Sequence, residues 1–175
     1  MRITSYQYDG SPIWAEISSN GWCNNHEPNG NIVYGIDLSV STGAPFNTAE
    51  NLLVAIGSYV IRAGTEYVML GGRLPRYFKH IDEFPNPELY MRAQNSHGRY
   101  GDPEVEFFSR IAGLEIVKLL PDYFDDPDSL NYGVLLRWKN PFHKFPVRIV
   151  WAKEFKILYK LEKRIANSKR TKVDQ

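Results

Sequence analysis

The pattern of apolar and polar residues is clearest between residues 47 and 64, where it predicts a helix. Asn47 is a good N-cap residue, and Glu50 stands three positions later, where its side chain can bond back to the cap. Gly64 is a natural C-cap. We expect this helix to bury one stripe, formed by Leu52, Ile56, Tyr59 and Ala63 and widened by Leu53 and Val60.

Strand-like segments stand on both sides of that helix. Residues 32–40 (IVYGIDLSV) alternate roughly in polarity, and residues 67–70 (YVML) form a short apolar run before Gly71 and Gly72. A strand, a loop, a helix and a second strand within about forty residues are typical of a crossover connection. We therefore expect the two strands to be parallel neighbours.

Weaker patterns predict the remaining elements. Residues 5–8 and 13–17 are β-favouring runs separated by an Asp-Gly-Ser-Pro turn, and residues 22–31 form a polar loop. A short helix is expected at 88–94, and another from the N-cap Asp102 to residue 112, which Gly113 ends. Residues 114–120 and 132–138 are strands joined by a polar loop at 121–128. Residues 147–165 predict a basic amphipathic helix, with a strand at 147–151 as the alternative.

Composition and charge narrow the class of protein. The 175 residues suit one domain, predicted at 1–145, with a basic helix and tail at 146–175 packed on it. The net charge of +1 divides into +5 for residues 151–175 and −4 for the rest. This balance argues against nucleic acid as a partner, although the tail leaves an anionic partner as the alternative to a solvated helix face. The single cysteine, the lack of an apolar leader and the short apolar runs predict a cytoplasmic protein without membrane contact.

Few residues form a pattern that would hold a metal. Cys23 and His26 lack a second ligand pair at zinc-site spacing, and the acidic loop at 122–128 lacks the ligand spacing of a calcium loop. We therefore expect no metal. The segment from Ser41 to Thr48 precedes the predicted helix N-terminus, where backbone amides and the helix dipole favour phosphate binding. An ordinary strand-to-helix turn is the alternative for that segment.

In their order and spacing, these elements resemble the acyl-coenzyme A-binding core of the GNAT superfamily of N-acyltransferases. The resemblance covers about residues 12–141 and includes the segments IVYGIDLSV, NLLVAIGSYVIRAG, YVMLGGRLPRY and NYGVLLRW. A subgroup of GNAT domains that accompany nitrilase-like hydrolases also shows an Asn-His-Glu-Pro-x-Gly loop and a Gly-Gly-Arg-x-Pro segment. These correspond here to residues 25–30 and 71–75.

The resemblance implies an α/β fold with a mixed, mostly antiparallel sheet, a splayed strand pair, flanking helices and, here, an extra basic C-terminal helix. It implies transfer of an acyl group, expected to be acetyl, from coenzyme A to the amine of a small molecule. Arg73 could pair with a carboxylate of that acceptor. The implied cofactor-binding residues are Leu38, Ser39 and Val40 for the pantetheine arm and Gly43, Ala44, Asn47, Thr48 and Ala49 for the pyrophosphate. The implied acceptor-side residues are His26, Arg73 and Tyr77.

The chain also departs from the family pattern. Ala44, Asn47 and Ala49 stand where the family loop has a basic or amide residue, a central glycine and a small residue. The family's tyrosine acid has no match in the penultimate helix, so Tyr123 and Tyr132 are the candidate acids, and Glu16 is a candidate base. The front end is short, so the wall of the acceptor pocket is absent or comes from the tail helix or a second subunit of a homodimer. A non-catalytic binding module that has lost the cofactor is the alternative function.

Overall fold

Five strands form one mixed sheet in the computed structural model, which describes residues 1–4, 13–146, 148–155 and 157. In chain order the strands are β1 (Arg2–Ile3), β2 (Ile32–Gly35), β3 (Tyr67–Arg73), β4 (Glu115–Leu120) and β5 (Gly133–Lys139). Their order across the sheet is β1-β2-β3-β5-β4. Only β2 and β3 pair in parallel, and the other three pairings are antiparallel. The predicted α/β fold on a mixed, mostly antiparallel sheet is confirmed.

Helices stand between the strands and after β5. They are α1 (Trp14–Ser18), α2 (Thr48–Ala63), α3 (Pro87–Arg92), α4 (Pro103–Val105) and α5 (148–155), with a π-helical turn at Glu106–Ile111 directly after α4 and 3-10 turns at Tyr77–Lys79 and Pro127–Ser129. The chain divides into two compact units. The sheet unit comprises residues 1–38 and 67–139, and the helical unit comprises residues 39–66 and the described residues from 140 onward. Within the part of the chain that the structure describes, no helix has the length and apolar character needed to cross a membrane.

Several predicted elements are confirmed with their caps. Gly64 ends α2 at φ 70°, and its N–H donates to the carbonyls of Val60 and Ile61. The Asp102 carboxylate caps α4 by accepting from the N–H groups of Glu104 and Val105. The crossover that joins β2 to β3 through α2 links parallel strands, as expected. The strand pair β4 and β5 and the loop at 22–31 also lie where the pattern placed them.

The strand expected at residues 13–17 is wrong, because this segment forms helix α1. The N–H of Ile13 donates to the Glu16 carboxylate at 3.2 Å, which closes the first turn. At the other end, the buried Ser18 hydroxyl donates to the carbonyl of Trp14 and accepts from the N–H of Gly21. These local side-chain bonds favour a turn of helix over an extended run too short to define its own period. The run at residues 5–8 lies outside the described residues.

The observed bounds of the two parallel strands differ from the predicted ones in opposite directions. β2 ends at Gly35 rather than at Val40, whereas β3 continues through Gly71 and Gly72 to Arg73. The last parallel pair is Gly35 with Leu70, and beyond it β3 stays paired with β5 alone. The two parallel strands therefore part at this point.

The buried face of α2 also differs from the predicted stripe. Leu52, Ile56 and Tyr59 are 41%, 38% and 46% exposed. The buried side chains are Val54, Val60 and Ile61. Inside the helical unit α5 packs on α2, since the Ser58 hydroxyl donates to the carbonyl of Ala152 at 2.9 Å and the Phe155 ring lies against Gly57. Small residues let a second helix approach closely, and a hydrophobicity pattern does not register them. Residues 148–151 are helical rather than extended.

Candidate active site

A cleft of about 1130 Å³ opens in the sheet unit where β2 and β3 part. Ligands commonly bind beyond the carboxyl ends of parallel strands, where neighbouring elements diverge. Three segments of the sheet unit line it: α1 and its flanks, the ends of β2 and β3, and the loop between β4 and β5. The lining residues are Ile13, Trp14, Ala15, Gly21, Ile36, Asp37, Arg73, Asp122, Tyr123, Phe124, Asp125, Asp126 and Asn131.

Trp14 connects helix α1 to the two other segments that line the cleft. Its indole Nε1 donates to the carbonyl of Ile36 at 3.0 Å, just beyond the end of β2. Its backbone N–H donates to the carbonyl of Tyr123 at 3.1 Å, in the β4–β5 loop. Hydrogen bonds of Trp14 therefore link all three segments that line the cleft.

Tyr123 lies on the sheet because two glycines make room for its ring. A Cβ on Gly71 would stand 2.1 Å from Cε1 of Tyr123, and a Cβ on Gly133 would stand 2.7 Å from its Cδ1. The ring is 2% exposed, and its hydroxyl lies 2.6 Å from the hydroxyl of the buried Tyr34 on β2. The Tyr123 hydroxyl is thus held close to Gly71, one residue past the last parallel strand pair.

The charges around the cleft are mainly acidic. Asp37, Asp122, Asp125 and Asp126 line it, and Arg73 is the one basic lining residue among those that the structure describes. Arg73 is already paired, since its Nε and Nη2 donate to the two carboxylate oxygens of Asp126 at 2.7 and 2.8 Å. This fork lowers the pKa of Asp126 and raises the pKa of Arg73. Little positive charge is left to face a ligand.

Three further hydrogen bonds stabilise this ion pair. Asp126 also accepts a bond from the Ser129 hydroxyl, and its backbone N–H donates to Oδ1 of Asn131 at 3.0 Å. On the other side, the backbone N–H of Arg73 donates to Oε2 of Glu104 at 2.8 Å. Burial raises the pKa of Glu104. The end of β3 is thereby tied to the β4–β5 loop and to α4.

Comparisons with known proteins agree with this architecture. The uncharacterized N-acetyltransferase YkwB of Bacillus subtilis (strain 168) is 34% identical to the chain over 132 residues, which are 75% of this chain and 57% of that protein. The probable hydrolase YhcX of the same organism is 30% identical over 170 residues, covering 89% of this chain and 33% of that protein. The chain thus spans about half and one third of the lengths of these relatives. No family model matches.

Two solved structures share the fold. The loading GNATL domain of CurA from Lyngbya majuscula has a TM-score of 0.68 at 24% identity, covering 80% of this chain and 68% of that chain. The GphF GNAT-like decarboxylase in complex with isobutyryl-CoA has a TM-score of 0.57 at 20% identity, covering 80% of this chain and 69% of that chain. The relative named as an N-acetyltransferase and these two GNAT-like structures together support assignment of the chain to the GNAT superfamily.

Of the residues predicted from the GNAT resemblance to act on the acceptor or in catalysis, two line the cleft, Arg73 and Tyr123. The others lie elsewhere in the sheet unit. His26 is exposed and accepts from the N–H of Arg2, while Glu16 is exposed and bonds to Ile13. Tyr77 is buried with its hydroxyl donating to the carbonyl of Phe84, and the ring of Tyr132 packs 5.8 Å from it. None of these four is a lining residue of the cleft.

The GNAT loop residues keep a backbone that suits their predicted role. Asn47 has φ 67°, the left-handed conformation that a glycine adopts most easily and that asparagine tolerates best among other residues. Its side chain does not cap α2, and the Thr48 hydroxyl instead donates to the carbonyl of Pro45. A Cβ on Gly43 would meet nothing within 4 Å. The loop thus fits a phosphate group approaching its backbone.

The other predicted cofactor residues are accessible. Ser39 and Val40 are exposed and Leu38 is half-buried, in irregular chain that follows the end of β2. Ala44 and Ala49 are half-buried on the loop and the first turn of α2. Among the residues that the structure describes, no group of three or more His, Cys, Asp and Glu is arranged to hold a metal.

Sequence reasoning did not single out Trp14, Tyr34 and Asp126 as site residues. Asp126 belongs to the loop that was interpreted as a solvated turn between strands, and its pairing with Arg73 spans 53 positions. One signal was present in the sequence. The glycine pair inside a strand, Gly71 and Gly72, indicates that another group approaches the backbone closely.

Proposed function

We propose that this protein is an N-acyltransferase that moves an acyl group, expected to be acetyl, from coenzyme A to a small-molecule amine. The observation that carries the proposal is the cleft at the point where β2 and β3 part, with a held tyrosine and an acidic lining. The relative named as an N-acetyltransferase supports the reaction class. The GNAT-like decarboxylase bound to isobutyryl-CoA supports a coenzyme A thioester as the donor.

Acyl-coenzyme A supplies the activated acyl group as a thioester. The main chain of Leu38, Ser39 and Val40 pairs with its pantetheine arm, following the family pattern. The loop from Gly43 to Ala49 holds the pyrophosphate through backbone amides, aided by the positive end of the α2 dipole. The left-handed backbone of Asn47 supports this assignment, because glycine, which the family has at this position, adopts that conformation most easily.

The acidic lining favours an acceptor that is a cation before it reacts. An ammonium group is attracted by Asp37, Asp122 and Asp125, and aromatic faces such as Trp14 add cation–π attraction. The carboxylate-binding role first expected for Arg73 has less support, because Asp126 already occupies its fork. Arg73 instead positions the β4–β5 loop that carries the aspartates.

Tyr123 is the best-placed candidate for the acid that protonates the departing thiolate. It is the one of the two predicted tyrosines that lines the cleft. The cationic acceptor first loses one proton to solvent. The neutral amine nitrogen then forms a bond to the acyl carbon, the carbon–sulfur bond breaks, and the sulfur takes the Tyr123 proton. The nitrogen loses its second proton to solvent, and solvent reprotonates the tyrosine. General acid assistance of this kind contributes about 10²–10⁴-fold in rate.

Titration calorimetry with acetyl-coenzyme A, followed by thiol-release assays with a panel of amines, tests the proposal. We expect binding, and turnover that is faster for diamines and polyamines than for amino acids of similar size. The variant Asp125→Asn should raise KM for cationic acceptors about 3- to 10-fold with kcat little changed, as expected for loss of one partly screened charge. Absence of both heat and a thermal shift at millimolar acetyl-coenzyme A would overturn the enzyme assignment.

A non-catalytic module derived from this fold is the second candidate, and the asparagine in place of the loop glycine favours it. The variant Asn47→Gly separates the two. Glycine adopts the observed φ without strain. An active enzyme should therefore gain affinity for coenzyme A, whereas a site that has lost cofactor binding should show no change in affinity. Asn47→Val is the matched control, since a β-branched residue resists this conformation and should weaken binding in a live enzyme.

A further inference from the structure

The side of the cleft that helix α1 and its flanks form is apolar. The residues of this segment that line the cleft are Ile13, Trp14, Ala15 and Gly21, and none of them carries a charge. The acidic residue of the segment, Glu16, is exposed but does not line the cleft, and its carboxylate accepts from the N–H of Ile13. We call the four lining residues the α1 side of the cleft.

The side chains on the α1 side are only partly covered by the protein. Ile13 is 39% exposed, and Trp14 and Ala15 are half-buried. A Cβ on Gly21 would stand 3.6 Å from Cη2 of Trp14, in ordinary van der Waals contact, so the glycine leaves this edge of the indole uncovered. The indole has one hydrogen-bond donor, and it is already bonded to the carbonyl of Ile36 at 3.0 Å. These side chains therefore offer a ligand apolar surface and no hydrogen-bonding group.

The loop between β4 and β5 brings negative charge to the same cleft. Asp122 and Asp125 line it and are exposed. The loop adjoins the α1 side, because the backbone N–H of Trp14 donates to the carbonyl of Tyr123, the residue after Asp122, at 3.1 Å. A ligand that carries a cationic group next to an apolar group can therefore contact both sides at once.

Of the two substrates in the proposed reaction, the acceptor matches this pair of surfaces. It is a cation before it reacts, whereas the acyl chain has no charge and gains nothing from the aspartates. Each methylene group that an acceptor places against apolar surface favours binding. A hydroxyl in the same position loses its bonds to water without replacement, since the donor of Trp14 is already used.

We propose that the acceptor is a primary amine with an apolar alkyl or aryl body. Its ammonium group lies beside Asp122 and Asp125, and its apolar body lies on Ile13, Trp14 and Ala15. The inference rests on the proposed function, because it names the acceptor class of that reaction. It makes Ile13, the most exposed side chain of the α1 side, a specificity-determining residue.

The experiment measures kcat/KM with acetyl-coenzyme A for straight-chain amines from propylamine to hexylamine. These amines have nearly the same basicity, so differences between them report how the chain is bound. We expect kcat/KM to rise about 2- to 4-fold with each methylene. The amino alcohol of the same length as hexylamine should be about 10-fold poorer than hexylamine. A series that stays flat, or an amino alcohol as good as hexylamine, would overturn the proposal.

The variant Ile13→Ser tests the assigned side of the cleft. Ile13 is the N-cap residue of α1, and serine is favoured at that position, so the helix keeps its start. We expect kcat/KM to fall about 3- to 10-fold for hexylamine and less than about 2-fold for propylamine. Ile81→Ser is the matched control, because Ile81 is 43% exposed and does not line the cleft. Equal losses for the two amines in Ile13→Ser would contradict the assignment.

A donor series separates the acceptor from the acyl chain. With propylamine fixed, the ratio of hexanoyl to acetyl transfer should be the same in Ile13→Ser and in the wild type. A selective loss of hexanoyl transfer would place the acyl chain on the α1 side and overturn the proposal. A wild type that acetylates propylamine but gains nothing from longer amines overturns this inference alone. A wild type that neither binds acetyl-coenzyme A nor acylates any amine overturns the proposed function, and the inference with it.

Discussion

The site depends on two positions without a side chain, Gly71 and Gly133, on neighbouring strands under the Tyr123 ring. An added Cβ would lie 2.1 Å and 2.7 Å from ring atoms, well inside van der Waals contact, and the ring cannot move away without breaking its bond to Tyr34. We therefore expect Gly71→Ala and Gly133→Ala each to lower the free energy of unfolding by about 1–3 kcal/mol. Urea denaturation measures this loss.

Gly101→Ala is the matched control, because a Cβ there meets nothing within 4 Å. Its unfolding free energy should stay within about 0.5 kcal/mol of the wild type. Equal stability of the Gly71, Gly133 and Gly101 variants would show that the tyrosine is not held against the sheet.

The ion pair of Arg73 and Asp126 makes part of the stability depend on pH. Arg73 holds the pKa of Asp126 below its ordinary value, so the carboxylate stabilises the fold above the pKa it has in the unfolded chain. That contribution is lost as the pH falls through the lowered pKa. Asp126→Asn should therefore cost about 1 kcal/mol at pH 7, a value discounted for the partly exposed arginine, and the cost should shrink below about pH 4.

Urea unfolding of Asp126→Asn and the wild type at several pH values checks this dependence. Asp82→Asn, at an exposed position, serves as the control and should show little difference at any pH. A cost for Asp126→Asn that stays constant down to pH 3 would contradict the assigned role of the pair.

At the scale of residues, the sequence predicted single site residues but not the residues that they contact. Arg73 was predicted from the family resemblance, and Tyr123 was one of two candidates to replace the family's missing tyrosine. Both line the cleft. Tyr34 could not be linked to Tyr123, because 89 positions separate them and nothing local marks the pairing. Contacts between distant segments depend on strand register, which the sequence pattern alone does not define.

At the scale of elements, α1 is the least expected part of the site. Its C-terminal end depends on the fully buried Ser18, whose hydroxyl accepts from the N–H of Gly21 and donates to the carbonyl of Trp14. Ser18→Ala removes both of these hydrogen bonds. We expect a loss of about 1–2 kcal/mol in unfolding free energy, measured by urea denaturation, against almost none for the exposed Ser96→Ala. Equal stability of the two variants would contradict this assignment.

Elements with strong local signals were predicted well. Helix α2 ends at Gly64 as expected, and α4 begins at Asp102, because caps are encoded within a few residues. The parting of β2 from β3 was implied by the family resemblance, but its position at Gly35 was not. The buried face of α2 was misplaced because Gly57 and Ser58 carry no hydrophobic signal, although they are where α5 packs.

At the scale of the molecule, α2 and α5 belong to one compact unit. The predicted domain at 1–145, with the C-terminal helix and tail at 146–175 packed on it, stays a prediction. The +5 charge that the sequence places after residue 150 belongs mostly to residues outside those described, so the solvated helix face and its alternative, an anionic partner, both stay untested. The negative charge of the remaining chain has a visible local counterpart in the aspartates of the cleft.

Because α2 and α5 belong to one compact unit, we expect a chain that ends at residue 145, and so lacks α5, to have a less stable α2. Removal of α5 deletes the bond from Ser58 to Ala152 and exposes the surface of α2 on which Phe155 lies. Amide hydrogen exchange should therefore become faster in α2 around Ser58, while β3 and β5, paired over seven residues of the sheet unit, keep their protection. Phe155→Ala in the full chain should produce a smaller increase at the same amides, and the exposed Lys153→Ala should produce none. Unchanged protection of α2 in the shortened chain would mean that α5 does not stabilise it, and residues 1–145 would then be a domain as first predicted.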